Sequence, residues 1–219
     1  MSTLVIAIAG ASASGKTLFT RTVVEELAAE FSNDSLAVLE EDGYYRDQSH
    51  LPLKLREQTN YDHPRAFEHE LLIGHLQKLK SGQSVDVPTY DYENHTRSDT
   101  VRTVSASKVI IVEGILLLAD KSLCEHFDIK VFIDTPLDVC LLRRIQRDVA
   151  ERGRNLQSVA DQYEATVRPM YYEFIEPSKT QADIVVTGGG KNRVAINVLK
   201  QTIRSSVNSH FLKIDDLFR

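Results

Sequence analysis

Eight residues near the start of the chain, Gly10-Ala11-Ser12-Ala13-Ser14-Gly15-Lys16-Thr17, restrict its fold more than any other stretch. They fit G-x-x-x-x-G-K-[ST], a loop whose backbone N–H groups turn inward around a phosphate. Such a loop needs a buried strand before it and a helix after it. Residues 4–9 form a short apolar run, and residues 17–30 carry Leu18, Val23, Val24 and Leu27 as a helix would. The helix N-terminus adds partial positive charge to the loop. Lys16 is placed to reach the outer phosphates, and the Thr17 hydroxyl to take a Mg²⁺ site. From average residue usage the pattern arises by chance in roughly one chain of this length in a hundred. A flexible Gly/Ser turn is the competing reading, and it would not require the flanking strand and helix. The expectation is a bound nucleoside triphosphate.

Strand-like and helix-like segments alternate beyond the loop. Leu36–Glu40, 109–112, 129–133 and 184–186 read as further strands; the β-branched run at 109–112 suits a strand buried on both faces. Phe67, Leu71, Leu72, Leu76 and Leu79 lie at helical spacing, residues 136–150 and 155–174 look helical, and Val194, Val198, Leu199, Thr202 and Ile203 give a last amphipathic helix. This pattern predicts an α/β fold: a phosphate-loop NTPase-type parallel sheet with helices on both faces. One stretch departs from it. Residues 84–104 read as an inserted two-stranded hairpin, and insertions at the carboxyl ends of such strands commonly form the ligand site. No linker or repeat divides the 219 residues, so one kinase domain is expected, with the hairpin insert at about 84–104 and an Arg-rich lid at about 143–165.

A formal net charge of −5 argues against a general nucleic-acid or membrane-surface role. The longest apolar stretch, 109–119, is interrupted by Glu113 and too short to span a bilayer. No basic segment precedes the first apolar run, so no secretory signal and a cytoplasmic location are expected. Cys124 and Cys140 form no disulfide framework or metal-ligand spacing and are expected to pack as reduced thiols.

Four constellations carry chemistry. Glu40-Glu41-Asp42-Gly43 ends the second strand, which in a parallel sheet is expected beside the phosphate loop. Asp42, before a Gly-Tyr turn, is placed to accept the proton of an attacking hydroxyl; three acids in a row also suit a solvated loop. Val109-Ile110-Ile111-Val112-Glu113 is an apolar strand ending in an acid that would hold Mg²⁺ or its water, unless Glu113 is a surface residue. Arg143, Arg144, Arg147, Arg152 and Arg154 suit a lid over phosphates, or a solvated helix pairing with Asp148 and Glu151. Tyr61, Asp62, Tyr90, Tyr92 and His95 would stack and read a flat heterocycle, with Asp62 on a ribose diol; ordinary hairpin packing is the alternative.

The chain resembles the uridine kinase, or uridine–cytidine kinase, family from about residue 4 to residue 205. The resemblance rests on GASASGKT, Asp42-Gly43-Tyr44-Tyr45, Asn60-Tyr61-Asp62-His63-Pro64, Pro88-Thr89-Tyr90-Asp91-Tyr92, His95-Thr96-Arg97, Glu113-Gly114-Ile115-Leu116, Arg143-Arg144-Ile145-Gln146-Arg147-Asp148 and Glu151-Arg152-Gly153-Arg154. It implies γ-phosphoryl transfer from ATP or GTP to the 5′-hydroxyl of uridine or cytidine, in pyrimidine salvage. It implies a catalytic set of Asp42 as base with Lys16 and Arg147, and magnesium residues Thr17, Glu113 and Asp42. Gly10 to Thr17, Arg147 and Arg152 would hold the phosphates. Asp42, Tyr45, Tyr61, Asp62, Tyr90, Tyr92, His95, Arg144, Arg154 and Gln162 would contact the nucleoside. A homotetramer inhibited by CTP or UTP is also implied. Tyr44, Tyr61 and Tyr92 stand where many members have Phe, each adding a hydroxyl that needs a partner if buried.

Two rival readings remain. A phosphoribulokinase-like or pantothenate-kinase-like enzyme would call for an acceptor pocket suited to its own substrate, basic in the case of a sugar phosphate, where this hairpin offers Tyr90, Tyr92 and His95. A GTPase-type switch would carry Asn-Lys-x-Asp, to which Gly190-Lys191-Asn192 is not equivalent.

Overall fold

The computed structural model describes residues 3–28, 30, 31 and 35–208; most of the C-terminal segment 206–219, for which the sequence suggests no clear partner, lies outside the described residues. Strands β1 (Leu4–Gly10), β2 (Leu36–Glu40), β5 (Val109–Gly114), β6 (Ile129–Asp134) and β7 (Ile184–Thr187) form one parallel sheet in the order β2-β5-β1-β6-β7. Strands β3 (Val85–Asp91) and β4 (Thr96–Val104) form the separate antiparallel hairpin, irregular between Pro88 and Tyr90. The helices are α1 (Lys16–Ala28), α2 (Leu53–Arg56), α3 (His69–Lys80), α4 (Lys121–Cys124), α5 (Leu137–Glu151), α6 (Leu156–Gln162), α7 (Arg168–Met170), α8 (Glu176–Ser178) and α9 (Arg193–Asn208).

Every residue of β1 is buried. Val5, Ala7 and Ala9 face one layer with Leu72, Leu76 and Leu79 of α3. Leu4, Ile6 and Ile8 face the other with Phe19 and Val23 of α1 and with Ile196, Leu199 and Ile203 of α9. Each fully buried Val, Leu or Ile contributes about 1.5–3 kcal/mol, so the alternation fixes the register of the central strand. Cys140 is buried, Cys124 is half-buried, and both are free thiols. Among the described residues no helix is long and apolar enough to cross a membrane.

Three expectations change. The phosphate loop and the acidic run are not on neighbouring strands: β5 lies between β1 and β2. The buried stripe of α9 is Ile196, Leu199 and Ile203, while Val194 and Val198 point outward, because apolar residues occur on both faces and only one meets α1. The helix expected over 155–174 is present, but π-helical turns occupy Tyr163–Val167 and Tyr171–Ile175. An α-ladder would pair the carbonyls of Ala165 and Glu173 with Pro169 and Pro177, which have no N–H, and wider turns carry the chain past those gaps.

The α1–α9 contact carries a charged clasp. Glu26 meets Arg193 and Lys200 at 2.5 Å each, and Glu30 meets Arg204. Hydrogen bonds from Arg193 and Lys200 pull the Glu26 carboxyl from 4.5 down to about 2. A depressed folded-state value gives stability that is present above 4.5 and is lost as pH falls toward 2. Glu26→Gln should therefore lower the Tm at pH 7, and the difference from wild type should shrink between pH 4.5 and 2. A gap that stays constant over that window would show that the clasp adds nothing through its charge.

Candidate active site

The loop after β1 closes on itself through the Ser14 N–H to the Ala11 carbonyl (3.0 Å), and the Phe19 N–H to the Gly15 carbonyl starts α1 (2.9 Å). Ala13 and Gly15 both sit at positive φ, 63° and 100°. A Cβ on Gly15 would lie 2.8 Å from the Gly190 backbone nitrogen, so the loop rests against a second glycine segment. Thr135 Oγ1 and Arg143 Nη1 both donate to the Ser14 carbonyl, at 2.8 and 3.3 Å. Lys16 Nζ donates to the Ala11 carbonyl at 3.5 Å, its side chain folded over the loop. These supports from Thr135 and Gly190 were not read from the sequence. The only signal was the Gly188-Gly189-Gly190 run.

At the end of β5, Glu113 is buried and accepts the Thr17 hydroxyl at 2.8 Å through Oε1. Its Oε2 is buried with no hydrogen-bond partner. A hydroxyl and an unpaired carboxylate oxygen are hard donors of the kind Mg²⁺ takes, so these residues fit that ion. Among the described residues no three His, Cys, Asp or Glu side chains gather as a metal cluster. Protein donors alone therefore make a partial shell, as in sites where Mg²⁺ keeps waters and substrate phosphates. Asp42 is not bonded to this pair. It lies in the 3-10 turn Glu41–Tyr44 that follows β2, and its Oδ2 accepts the Tyr92 hydroxyl at 2.6 Å.

The hairpin brings that hydroxyl over the strand ends. Behind it the aromatic residues form a continuous wall. Tyr90 packs on Tyr92 at 5.1 Å and on Tyr45 at 4.8 Å, Tyr45 meets Tyr61 at 5.2 Å, and Tyr61 stacks on His95 at 5.6 Å and 22°. The Tyr61 hydroxyl donates to the carbonyls of Arg56 and His95. The buried Tyr90 hydroxyl finds no partner of hydrogen-bonding geometry. Burial holds His95 below the usual imidazole range. Asp62, 6% exposed, opens with Ala11, Ser12 and Arg144 onto one cavity lined further along by Tyr163, Val167 and Tyr171. Burial pushes its carboxyl above the usual carboxylate range against the pull of Arg144.

The arginines gather around a residue the sequence reading had only as an ion-pair partner. Asp148 is fully buried, and Arg144, Arg147, Arg152 and Arg154 all approach it, at 3.7, 2.9, 3.6 and 3.5 Å. Arg144 also donates to Ser12 Oγ (3.1 Å) and to Gln162 Oε1 (3.0 Å), and Arg154 donates to the same Gln162 oxygen (2.5 Å). Arg152 lies over the Tyr92 ring, 4.5 Å from its centroid. Contacts thus run from the loop through Arg144, Gln162 and Arg154 to Asp148, and through Arg152 and Tyr92 to Asp42. The expected site residues Ser12, Asp42, Tyr92, Arg144, Arg147, Arg152, Arg154 and Gln162 are joined in this way, and Thr17 with Glu113 forms a second group. The i, i+4 pair Arg144 and Asp148 was the available signal for the buried hub.

With this geometry, the chain can be set beside known proteins. The model of the "Phosphoribulokinase / Uridine kinase family" matches residues 5–195. The uridine kinase of Shewanella amazonensis is 57% identical over 201 residues, 92% of this chain and 95% of that protein. That of Tolumonas auensis is 55% identical over 92% of this chain and 94% of its own length. The solved phosphoribulokinase from Rhodobacter spheroides shares the fold, with TM-score 0.66 at 18% identity, over 85% of this chain and 70% of that one.

Proposed function

The chain belongs to the phosphoribulokinase/uridine kinase family and is a phosphotransferase, and we propose that it transfers the γ-phosphoryl group of ATP or GTP to the 5′-hydroxyl of uridine and cytidine, giving UMP and CMP in pyrimidine salvage. The observation that carries this reading is the Tyr92 hydroxyl on Asp42 beneath an aromatic wall. It marks a place where a hydroxyl donates to a carboxylate beside a surface suited to an uncharged ring. On this reading the acceptor would lie against the rings of Tyr45, Tyr61, Tyr90 and His95, which suit a pyrimidine better than a sugar phosphate.

On this reading the nucleoside hydroxyl takes the Tyr92 position, and Asp42 accepts its proton. Asp62 receives the ribose diol, and the Tyr90 hydroxyl and His95 read the base edge. Gly10 to Thr17 cradle the phosphates, with Lys16 on the outer ones. Thr17 and Glu113 hold Mg²⁺, whose charge neutralises the phosphates when it is bound. Arg147 and Arg152 turn toward the transferring group and exclude water, while Arg144, Arg154 and Gln162 close over the nucleoside. The chain then acts as one kinase domain, with the hairpin as acceptor insert and residues 143–165 as lid. A cytoplasmic tetramer restrained by CTP or UTP belongs to the same reading.

The test is phosphoryl transfer from ATP-Mg²⁺ and from GTP-Mg²⁺ to uridine, cytidine, thymidine, adenosine, ribulose 5-phosphate and pantothenate, with products identified by mass. UMP and CMP are expected, and product from ribulose 5-phosphate or pantothenate alone would overturn the reading. Tyr92→Phe keeps the ring under Arg152 and uncovers Asp42. Phosphate release from ATP without nucleoside should rise about three- to ten-fold, because water gains the exposed carboxylate. Unchanged release would show that the Tyr92 hydroxyl does not guard Asp42.

A further inference from the structure

Glu41, between Glu40 and Asp42, has no part in the mechanism above, yet it is fully buried. Its Oε2 accepts the backbone N–H groups of Ile115 (2.6 Å) and Leu116 (3.0 Å). Its Oε1 lies 2.9 Å from His69 Nε2, and His69 Nδ1 lies 3.0 Å from Asp120 Oδ2. Asp120 Oδ1 accepts the N–H groups of Ser122 and Leu123, capping α4, and Phe67 stacks on the His69 ring at 5.5 Å. A buried carboxylate is strongly unfavourable unless it is fully paired. Here both oxygens are used, and each partner is itself held.

The place of this chain of contacts matters. The β2–β5 ladder ends with Glu40 opposite Glu113. Beyond that point the Glu41 side chain hydrogen-bonds one strand end to the other: the residue after it is Asp42, and the N–H groups it holds follow Glu113 and Gly114. The fit is close, since a Cβ on Gly114 would fall 2.2 Å from Glu41 Oε2.

We propose that Glu41, backed by His69 and Asp120, is a positioning residue for phosphoryl transfer that fixes Asp42 and Glu113 relative to each other. This rests on the reading of Asp42 as base and Glu113 as the magnesium carboxylate. A displacement of about 1 Å at reacting groups is enough to cost on the order of 100-fold in rate, whereas Glu41 and His69, both buried and bonded to protein groups, would not touch the nucleoside on the reading above.

The experiment compares Glu41→Ala, Glu41→Gln, His69→Gln and Asp42→Asn with wild type. It measures kcat per folded molecule, uridine affinity by calorimetry, and half-saturating Mg²⁺. Glu41→Ala should lose about 30-fold or more in kcat, with uridine affinity within about three-fold and a raised Mg²⁺ requirement. Glu41→Gln, which keeps an acceptor oxygen for the backbone and an N–H for His69, should recover to within about five-fold of wild type. His69→Gln covers the case in which the alanine variant does not fold, and should lower kcat several-fold at unchanged uridine affinity. Wild-type kcat in Glu41→Ala or His69→Gln, a parallel loss of uridine affinity, or no recovery in Glu41→Gln would overturn the proposal. Full turnover in Asp42→Asn would instead remove the catalytic reading beneath it. An inactive Asp42→Asn beside wild-type Glu41→Ala and His69→Gln would remove the positioning role alone.

Discussion

Replacing Asp42 with Asn should lower turnover by about 100-fold or more, as expected for loss of a general base, and leave uridine affinity within about two-fold. The substitution keeps the shape of the side chain and an oxygen for the Tyr92 hydroxyl, so the 3-10 turn and the hairpin above it need not move. The amide no longer accepts a proton from the acceptor hydroxyl. Uniform loss of binding would raise KM and spare kcat, whereas a group that acts only in the transition state lowers kcat and kcat/KM together. The decisive measurement is kcat for uridine alongside calorimetric affinity. Turnover close to wild type would exclude Asp42 as base.

Asp148→Ala should give the largest loss of stability among the site substitutions. Most exposed ion pairs contribute 0–1 kcal/mol, but Asp148 is fully buried and its neighbour Arg144 is 7% exposed. Removing the carboxylate leaves a buried guanidinium and three further arginines without their shared counter-charge, a change worth about 3–5 kcal/mol. For a chain of this size that corresponds to a Tm lower by roughly 10 °C. Asp148→Asn keeps the side-chain shape and separates the loss of charge from the loss of packing. Thermal unfolding of both variants checks the expectation, and a Tm within about 2 °C of wild type for Asp148→Ala would mean that the arginines hold their places without it. On the catalytic reading Asp148 is also the anion that Arg147 and Arg152 leave for the triphosphate, so the same variants should alter how the lid settles when no nucleotide is bound.

The parallel sheet was legible because its strands are apolar runs with sharp ends: Leu36–Glu40 coincides with β2, and 129–133 and 184–186 fall within one residue of β6 and β7. The hairpin was legible because 84–104 interrupts the alternation. Strand order was not, since nothing local in a run of Val and Ile says which neighbour it takes, and β5 came between the loop and Asp42. The buried face of α9 was legible only in part, since Leu199 and Ile203 are covered as expected but Ile196 was not singled out: Val194 and Val198 are as apolar, and packing against α1 and the sheet decides which are covered. In the candidate site, the loop residues, Asp42 and the arginines carried motifs, so they could be named. Glu41 and Asp148 did not stand out, because an acid that will be buried looks in sequence like one that will be solvated. Burial and convergence of partners distinguish them, and both arise only when distant segments meet.

The two π-helical turns at Tyr163–Val167 and Tyr171–Ile175 each let this stretch hold an extra residue within a wide turn. Tyr163, Val167, Tyr171 and Ile175 recur every fourth residue and line the cavity shared with Asp62 and Arg144. In a regular α-helix such a row winds steadily off its face, because four residues exceed a turn of 3.6. The widened turns keep it in line. A relative that lost one residue from one of these turns and exchanged its proline would regain an ordinary helical turn there, with every side chain downstream still facing as before, because the wide turn takes up its extra residue within about one rotation. The row would stay on the cavity although the chain had shortened.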